Sequence, residues 1–365
     1  VLERRQVRNF DFAMFAITIV LMGIGVLVLF SATYGDSLAY VKRQVFFMCI
    51  GLVAMFGVAL INFQRLTKFS SWIYGATLVL LLLVLIVGRE TGGAQRWIKV
   101  GPLQFQPSEF AKVACIITLS AMLADNREQL LSLKFILRTA MHVSIPVLLT
   151  LAQPDLGTSI VILSTWLGML WIGGARRGHI ALIVLACLVI AFVGWHTGLL
   201  KDYQKKRLIA FINPYADPLG SGYHLIQAQT AIGSGGLTGK GLFNGKMSKL
   251  KFIPARHTDF IFVTLSEELG FVGSMSVILL YMLLLHRMIL LMRSTEHELG
   301  IFIVGGVFFM LLVHIVTNIG MTIRLLPITG IPLPLLSYGG SNVLATCIAI
   351  GICQSVAMRR SKLSF

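Results

Sequence analysis

Long apolar runs recur along the chain, near residues 11–32, 43–62, 70–88, 107–124, 136–153, 156–173, 178–196, 260–292, 300–322 and 338–358. Each is long enough to cross a hydrocarbon core of about 30 Å as a helix. The pattern predicts an all-α integral membrane protein with about ten transmembrane helices and both termini on one side. No repeat of solenoid period is visible, so 1–365 reads as a single polytopic membrane domain. The run Phe12–Ala32 is too long for the apolar part of a signal peptide and reads as a retained span. The chain opens on Val1 rather than Met, so a few native residues are expected upstream.

Three segments break the pattern. Residues 197–258 form one large polar connection. Leu325–Asn342 (LLPITGIPLPLLSYGGSN) holds Pro327, Pro332, Pro334 and three glycines, which no regular span accommodates. Irregular backbone at membrane depth is tolerated where protein buries it or it lines a wet cavity. A re-entrant segment near the C-terminus, on the outer side, is expected there, with Ser337 and Ser341 offering hydroxyls. The third is a surplus of length: Asp259 to Met292 is 34 residues. As continuous helix it would measure about 51 Å, so its first turns are expected at or above the outer interface. Glu267 and Glu268 would then lie about 12 Å deeper, facing a water-accessible recess.

Composition supports the membrane reading. Hydrophobic residues make up 56% of the 365 and charged residues 13%, against about 25% charged in soluble domains. The five cysteines, Cys49, Cys115, Cys187, Cys347 and Cys353, fall in apolar runs without a CxxC and read as buried thiols. Charge then orients the chain. Arg4, Arg5, Arg8, Arg65, Lys68, Arg127, Lys134, Arg138, Arg176, Arg177, Arg287, Arg293, Arg359, Arg360 and Lys362 fall on one side. Short connections on the other side hold only Lys42, Arg43, Arg89, Arg96, Lys99 and Arg324. The positive-inside rule makes the first side, with both termini, cytoplasmic. The large connection 197–258 is then extracytoplasmic although basic, as loops of about 60 residues are allowed to be. Net charge is +16. With no nucleic-acid-binding motif, that excess suits anionic lipid or a polyanionic substrate.

Candidate chemistry lies at the predicted outer side. FIPARHTDFIFVTLSEELG (Phe252–Gly270) packs Arg256, His257, Asp259, Glu267 and Glu268 against an apolar run, and charges at such depth default to function. Asp259 either caps the following helix or, beside cations, serves as a general base. In QPSEFAK, Pro107 suits a helix start, and Glu109 and Lys112 are spaced to pair on one face. That pair is an internal ion pair, a substrate-facing group, or both. Asp155 in AQPDLGTS either caps a helix from Leu156 or faces substrate. Arg96 and Trp97 suit a phosphate and a sugar ring, though Trp is also common at bilayer interfaces. His314 and Asn318, four residues apart, read as an interhelical contact. GSGGLTGKG (Gly233–Gly241) imitates a nucleotide-phosphate loop, but Ser234 and Gly241 stand where that motif needs Gly and Ser or Thr. Its glycines read instead as tight turns or close backbone approach. No HExxH-type spacing marks a metal site.

In order, GGAQRWI, FQPSEFAK, AQPDLGTS, the block from YQKKRLIAFINPYADP to GSGYHLIQAQTAIGSGGLTGKG, HTDFIF with EELG, and PLPLLSYGGSN resemble the SEDS family (shape, elongation, division and sporulation) of bacterial cell-wall synthesis. The resemblance runs nearly end to end and is nearer the rod-elongation branch. The division branch usually has Gln and Ser at the positions of His224 and Asn342, and Ala255 stands where many relatives have Glu. The resemblance implies a peptidoglycan glycosyltransferase that polymerises lipid II outside the cytoplasmic membrane. It implies work alongside a class B penicillin-binding protein, the transpeptidase, among other elongation-complex proteins. It places the essential Asp on Asp259, the Glu/Lys pair on Glu109 and Lys112, and a further Asp on Asp155. A divalent cation, Mg or Mn, is reported for the family, but this sequence offers no ligand set. On this reading Arg96, Lys205, Lys206 and Arg207 are candidates to hold pyrophosphate. Trp97, His257, Glu268, Ser337 and Ser341 complete the candidate substrate contacts. The rival reading is a lipid II flippase. A carrier should show paired helix interruptions in corresponding halves, and the breaks at Pro154 and 325–342 have no such symmetry.

Overall fold

The computed structural model of the protein describes residues 9–34, 38–91, 94–100, 103–198, 202–216, 220–245, 247 and 255–360. Of the basic positions named above, Arg4, Arg5, Arg8 and Lys362 lie outside the described residues, as do Lys201, Lys246, Lys249 and Lys251 of the 197–258 connection and the Phe252–Pro254 start of the candidate stretch.

Helices α1 (Phe12–Ala32), α2 (Ala39–Leu60), a short α3 (Phe63–Lys68) and α4 (Ser70–Val87) lead into strands β1 (Arg89–Thr91), β2 (Ala94–Val100) and β3 (Leu103–Phe105). Then follow α5 (Pro107–Asp125), α6 (Leu133–Ala152), α7 (Leu156–Ile172), α8 (Arg177–His196), α9 (Asp202–Ile212) and α10 (Ser221–Gly235). The chain closes with α11 (Ile261–Arg293), α12 (Glu298–Thr322) and α13 (Gly340–Arg359). Among the described residues nine helices are long and apolar enough to cross a membrane, and α7, at 17 residues, is a shorter apolar helix. With α7 included, these elements coincide with the ten predicted runs.

Starts and packing follow from local sequence. Asp11 caps α1 by accepting from the Met14 amide at 2.9 Å, and Pro107 opens α5 at its first turn. The central core joins α1, α2, α11, α12 and α13. Helices α2 and α13 lie backbone to backbone: a Cβ added at Gly351 would sit 2.6 Å from Met55 O. Helix α8 is the outlier, with only Gly194 buried.

Four expectations change. Residues 89–105 form a three-stranded antiparallel sheet, paired Arg89 to Trp97 and Ile98 to Phe105, instead of a plain loop. The 197–258 connection contains α9 and α10, and α10 packs on α11. Cys49 and Cys187 are exposed, and only Cys115, Cys347 and Cys353 are buried, because span surfaces facing lipid tolerate a thiol as readily as a core does.

The fourth change is that α11 is broken at Gly270, whose φ of 66° and ψ of −160° leave the helical region. The glycine-rich turn after α10 fills the break. Lys240 N donates to Glu267 O and Gly241 N to Glu268 O, while Phe271 N and Val272 N donate back to Gly236 O and Leu237 O. A side chain at Gly239, itself at φ +81°, would collide with Glu268 O, so these glycines serve close backbone approach.

Candidate active site

A cavity of about 570 Å³ opens where β2, the start of α5, the start of α7, the turn before α11 and the irregular segment before α13 converge. Its wall includes Arg96, Trp97, Glu109, Asp155, His257 and Asp259, six of the candidates drawn from the sequence. Tyr40 and Arg43 of α2, Gln104, Gln106, His314, Tyr338 and Asn342 also line it. Those were not singled out as site residues: polar and aromatic groups at span ends resemble interface anchors, and only the fold brings them to one space.

Each carboxylate has a distinct setting. Asp155 is the N-cap of α7: its Oδ1 accepts from Thr158 N at 3.2 Å and its Oδ2 from Thr158 Oγ1 at 2.9 Å. It also accepts from Gln106 Nε2 and Ser108 Oγ and lies 3.7 Å from Arg96 Nη1. Asp155 therefore caps a helix and also faces the cavity. Arg96 is fixed in turn by donating to the carbonyls of Gln153 and Pro154. Glu109 and Lys112 form the internal pair, with Nζ 2.9 Å from each carboxylate oxygen. Glu109 lines the cavity and Lys112 sits behind it, buried. Asn342 Nδ2 donates to Glu109 Oε2 at 2.8 Å.

Asp259 does not cap α11. That helix begins at Ile261 with Phe260 as N-cap and no side-chain cap bond. The carboxylate instead looks across Gly330, where an added Cβ would lie 3.4 Å from Asp259 Oδ2 and 3.6 Å from Arg207 Nη1. Burial pushes the Asp259 carboxyl above the usual carboxylate range; Arg207 and then Arg96 pull it back, and Asp155 adds a smaller upward push. Asn318 Nδ2 donates to the Asp259 carbonyl at 2.9 Å and to the Ile331 carbonyl at 2.7 Å, both outside helices; of the pair read as an interhelical contact, only His314 meets another helix, at Lys112.

The remaining candidates are dispersed. Of the α9 cations, only Arg207 turns toward Asp259. Lys205 Nζ lies 5.9 Å from the Trp195 ring centre, and Lys206 is exposed. Ser337 donates to Thr258 O and accepts from Leu333 N. Ser341 accepts from Gln106 N at 3.0 Å. Both hydroxyls brace backbone. Arg256 points away, donating to Ala32 O at 2.7 Å. The two glutamates do not face an open recess. Glu267 pairs with Lys240 at 2.9 Å and accepts from Met247 N, and Glu268 accepts from Ser31 Oγ at 2.5 Å. Both are buried, because the glycine-rich turn seated at the Gly270 break hydrogen-bonds to their backbone and covers them. Among the described residues no three His, Cys, Asp or Glu side chains converge to hold a metal ion, so no step below is routed through one.

A multi-pass membrane bundle with a cation-bearing polar cavity lined by two aspartates is the class these features define. Residues 11–362 match a family described as cell cycle protein, FtsW/RodA/SpoVE, and the chain belongs to that family. It is 38% identical to peptidoglycan glycosyltransferase MrdB of Escherichia coli K12, over 98% of this chain and 95% of that one. It is 36% identical to stage V sporulation protein E of Bacillus subtilis, over 95% and 96% of the two chains. Among solved structures, a chain of a peptidoglycan synthase complex that coordinates polymerization and crosslinking superposes with a TM-score of 0.83 at 33% identity, covering 95% of this chain and 97% of that one. The Thermus thermophilus rod shape determining protein RodA superposes at 0.73 with 29% identity, covering 97% and 98%.

Proposed function

We propose that this chain is a peptidoglycan glycosyltransferase that polymerises lipid II into β-1,4 glycan during cell elongation, with Asp259 as general base. The observation that carries the reading is Asp259 itself: partly buried, free of capping duty, in a cavity with Arg96 and beside Arg207. Asp259 takes the proton from the acceptor's GlcNAc 4-hydroxyl. That oxygen bonds to the anomeric carbon of the donor's MurNAc as the bond to pyrophosphate breaks, and undecaprenyl pyrophosphate leaves. One displacement inverts an α-linked donor to a β link, so one base suffices and no protein nucleophile is needed. Arg207 and Arg96 offset the charge that grows on the departing pyrophosphate. Asp155 holds Arg96, and Trp97 and His257 offer ring faces for sugar.

The reading places this cavity on the outer face of the cytoplasmic membrane, with both termini cytoplasmic. The charge asymmetry of the short connections supports that placement. A class B penicillin-binding protein is the partner it implies. The similarity to a chain of a synthase complex that couples polymerization to crosslinking supports this.

The test is glycan-strand formation from lipid II by Asp259→Ala, purified with its transpeptidase partner. Loss of at least about 100-fold in rate is expected for removal of a general base; wild-type polymerisation would remove Asp259 from this role. The flippase reading predicts instead that labelled lipid II crosses vesicle bilayers with no polymer formed.

A further inference from the structure

Two side chains one turn apart on α12 grip the irregular segment that walls the cavity. Asn318 Nδ2 donates to Ile331 O at 2.7 Å, and His314 Nδ1 lies 3.1 Å from Pro332 O. The other imidazole nitrogen, Nε2, lies 2.8 Å from Lys112 Nζ. His314 and Lys112 are both buried.

The tautomer follows from the partners. A carbonyl oxygen brings no proton and an ammonium brings no lone pair. Nδ1 therefore carries the ring hydrogen and donates to Pro332 O, while Nε2 accepts from Lys112. The imidazole is neutral and held at both nitrogens. Pro332 and Pro334 supply no amide, and the backbone around them forms no regular ladder. The carbonyls of Ile331, Pro332 and Pro334 meet side chains, those of Asn318, His314 and Tyr281.

We propose that His314 is a positioning residue for the transfer. It ties the Glu109–Lys112 pair on one side of the cavity to the segment that carries Gly330 on the other. Gly330 is the backbone across which Asp259 and Arg207 face each other. By fixing Pro332 two residues further on, His314 keeps that wall, and the base behind it, in register with α5. No step of the transfer uses its proton. The assignment rests on Asp259 being the base.

Three variants separate the bonds. His314→Leu removes both, His314→Gln restores an acceptor for Lys112, and His314→Asn restores a donor for Pro332 O. Each is purified with the transpeptidase partner, checked for folding by thermal melting, and assayed on lipid II. A misplaced wall costs turnover more than binding: kcat of His314→Leu is expected to fall about tenfold or more, with KM changed less than about threefold. Each amide variant should recover part of that loss. Wild-type kcat in a folded His314→Leu protein overturns the proposal, as do amide variants no better than leucine. A readout independent of turnover is 15N NMR of histidine-labelled protein in nanodiscs. The resonance pair missing from His314→Gln should report a neutral ring protonated at Nδ1. An Nε2–H or doubly protonated ring overturns the proposal even if the leucine variant fails to fold. Were Asp259 not the base, Asp259→Ala would polymerise normally, an outcome the His314 variants do not imitate.

Discussion

The proposed base role requires Asp259 as an anion, and its neighbours set how readily it becomes one. Burial raises its pKa, and Arg207 is the strongest opposing influence. The rate of polymerisation should therefore rise with pH through a midpoint above the ordinary Asp value of about 3.9, since the protonated carboxyl accepts nothing. Deleting Arg207 removes a cation that favours the anion, so Arg207→Ala should move the acid limb to higher pH. It should also lower the plateau, because the proposed contact to the leaving pyrophosphate would be gone. A move of one pH unit corresponds to about 1.4 kcal/mol between the two protonation states. Lys206→Ala, from an exposed position on the same helix, should move the limb less. Rate–pH profiles of the three proteins decide it: an unmoved limb in Arg207→Ala would dissociate Arg207 from Asp259. At this scale the cavity position of Asp259 was legible, because five ionisable groups crowd one stretch beside an apolar run. Its partner was legible only as one of three adjacent cations. Which of Lys205, Lys206 and Arg207 faces inward depends on how α9 lies against the bundle, and no residue spacing records that. Glu268 misled for a related reason: the unbroken first turns of α11 carry it about 12 Å from Asp259, where it accepts from Ser31 beside the glycine-rich turn.

Helices were the readable elements, because twenty apolar residues in a row have few alternatives in a bilayer. The break in α11 was not readable. SEELGFVGS is compatible with a helix, and what fills the gap lies some thirty residues earlier, in the turn from Gly236 to Gly241. Nor was the sheet of β1 to β3, whose short strands are flanked by glycines and charges that imitate a loop. The glycine-rich turn and the broken helix form one unit, and this gives a sharp mutational contrast. Gly270→Ala places a Cβ against Gly239 N in a backbone conformation that only glycine adopts freely. The strain alone is worth about 1–3 kcal/mol, and the clash adds to it. Gly23→Ala, inside α1 with nothing within 4 Å of the new methyl, should be neutral or stabilising by up to about 1 kcal/mol. Thermal melts of both in the same nanodiscs check the contrast. Equal melting points would mean that the Gly236–Gly241 turn does not depend on the break.

Across the whole molecule the polar contacts sort into two ends. At one, Arg287 pairs with Asp11 at 2.8 Å, Arg127 with Glu298 at 2.5 Å, Arg360 donates to Ser294 Oγ, and Arg359 donates to the carbonyls of Ala59 and Leu60. These are the positions that the charge rule assigns to the cytoplasm, and they meet although they lie up to 300 residues apart in the chain. At the other end sit Arg96, Asp155, Arg207 and Asp259, with the cavity among them. The proposed polymerisation outside the cell requires a lipid-linked sugar to reach the second end from the outer leaflet, so it predicts that the two ends face opposite compartments. Single cysteines test this in a background without Cys49 and Cys187, the exposed natural thiols. Lys206→Cys, on the cavity end, should react with an impermeant maleimide in cells whose cytoplasmic membrane is intact. Glu128→Cys, beside Arg127 and likewise exposed, should react only after permeabilisation. The reverse pattern would put Asp259 in the cytosol, where neither an extracellular glycan nor a transpeptidase acting outside the membrane could use it.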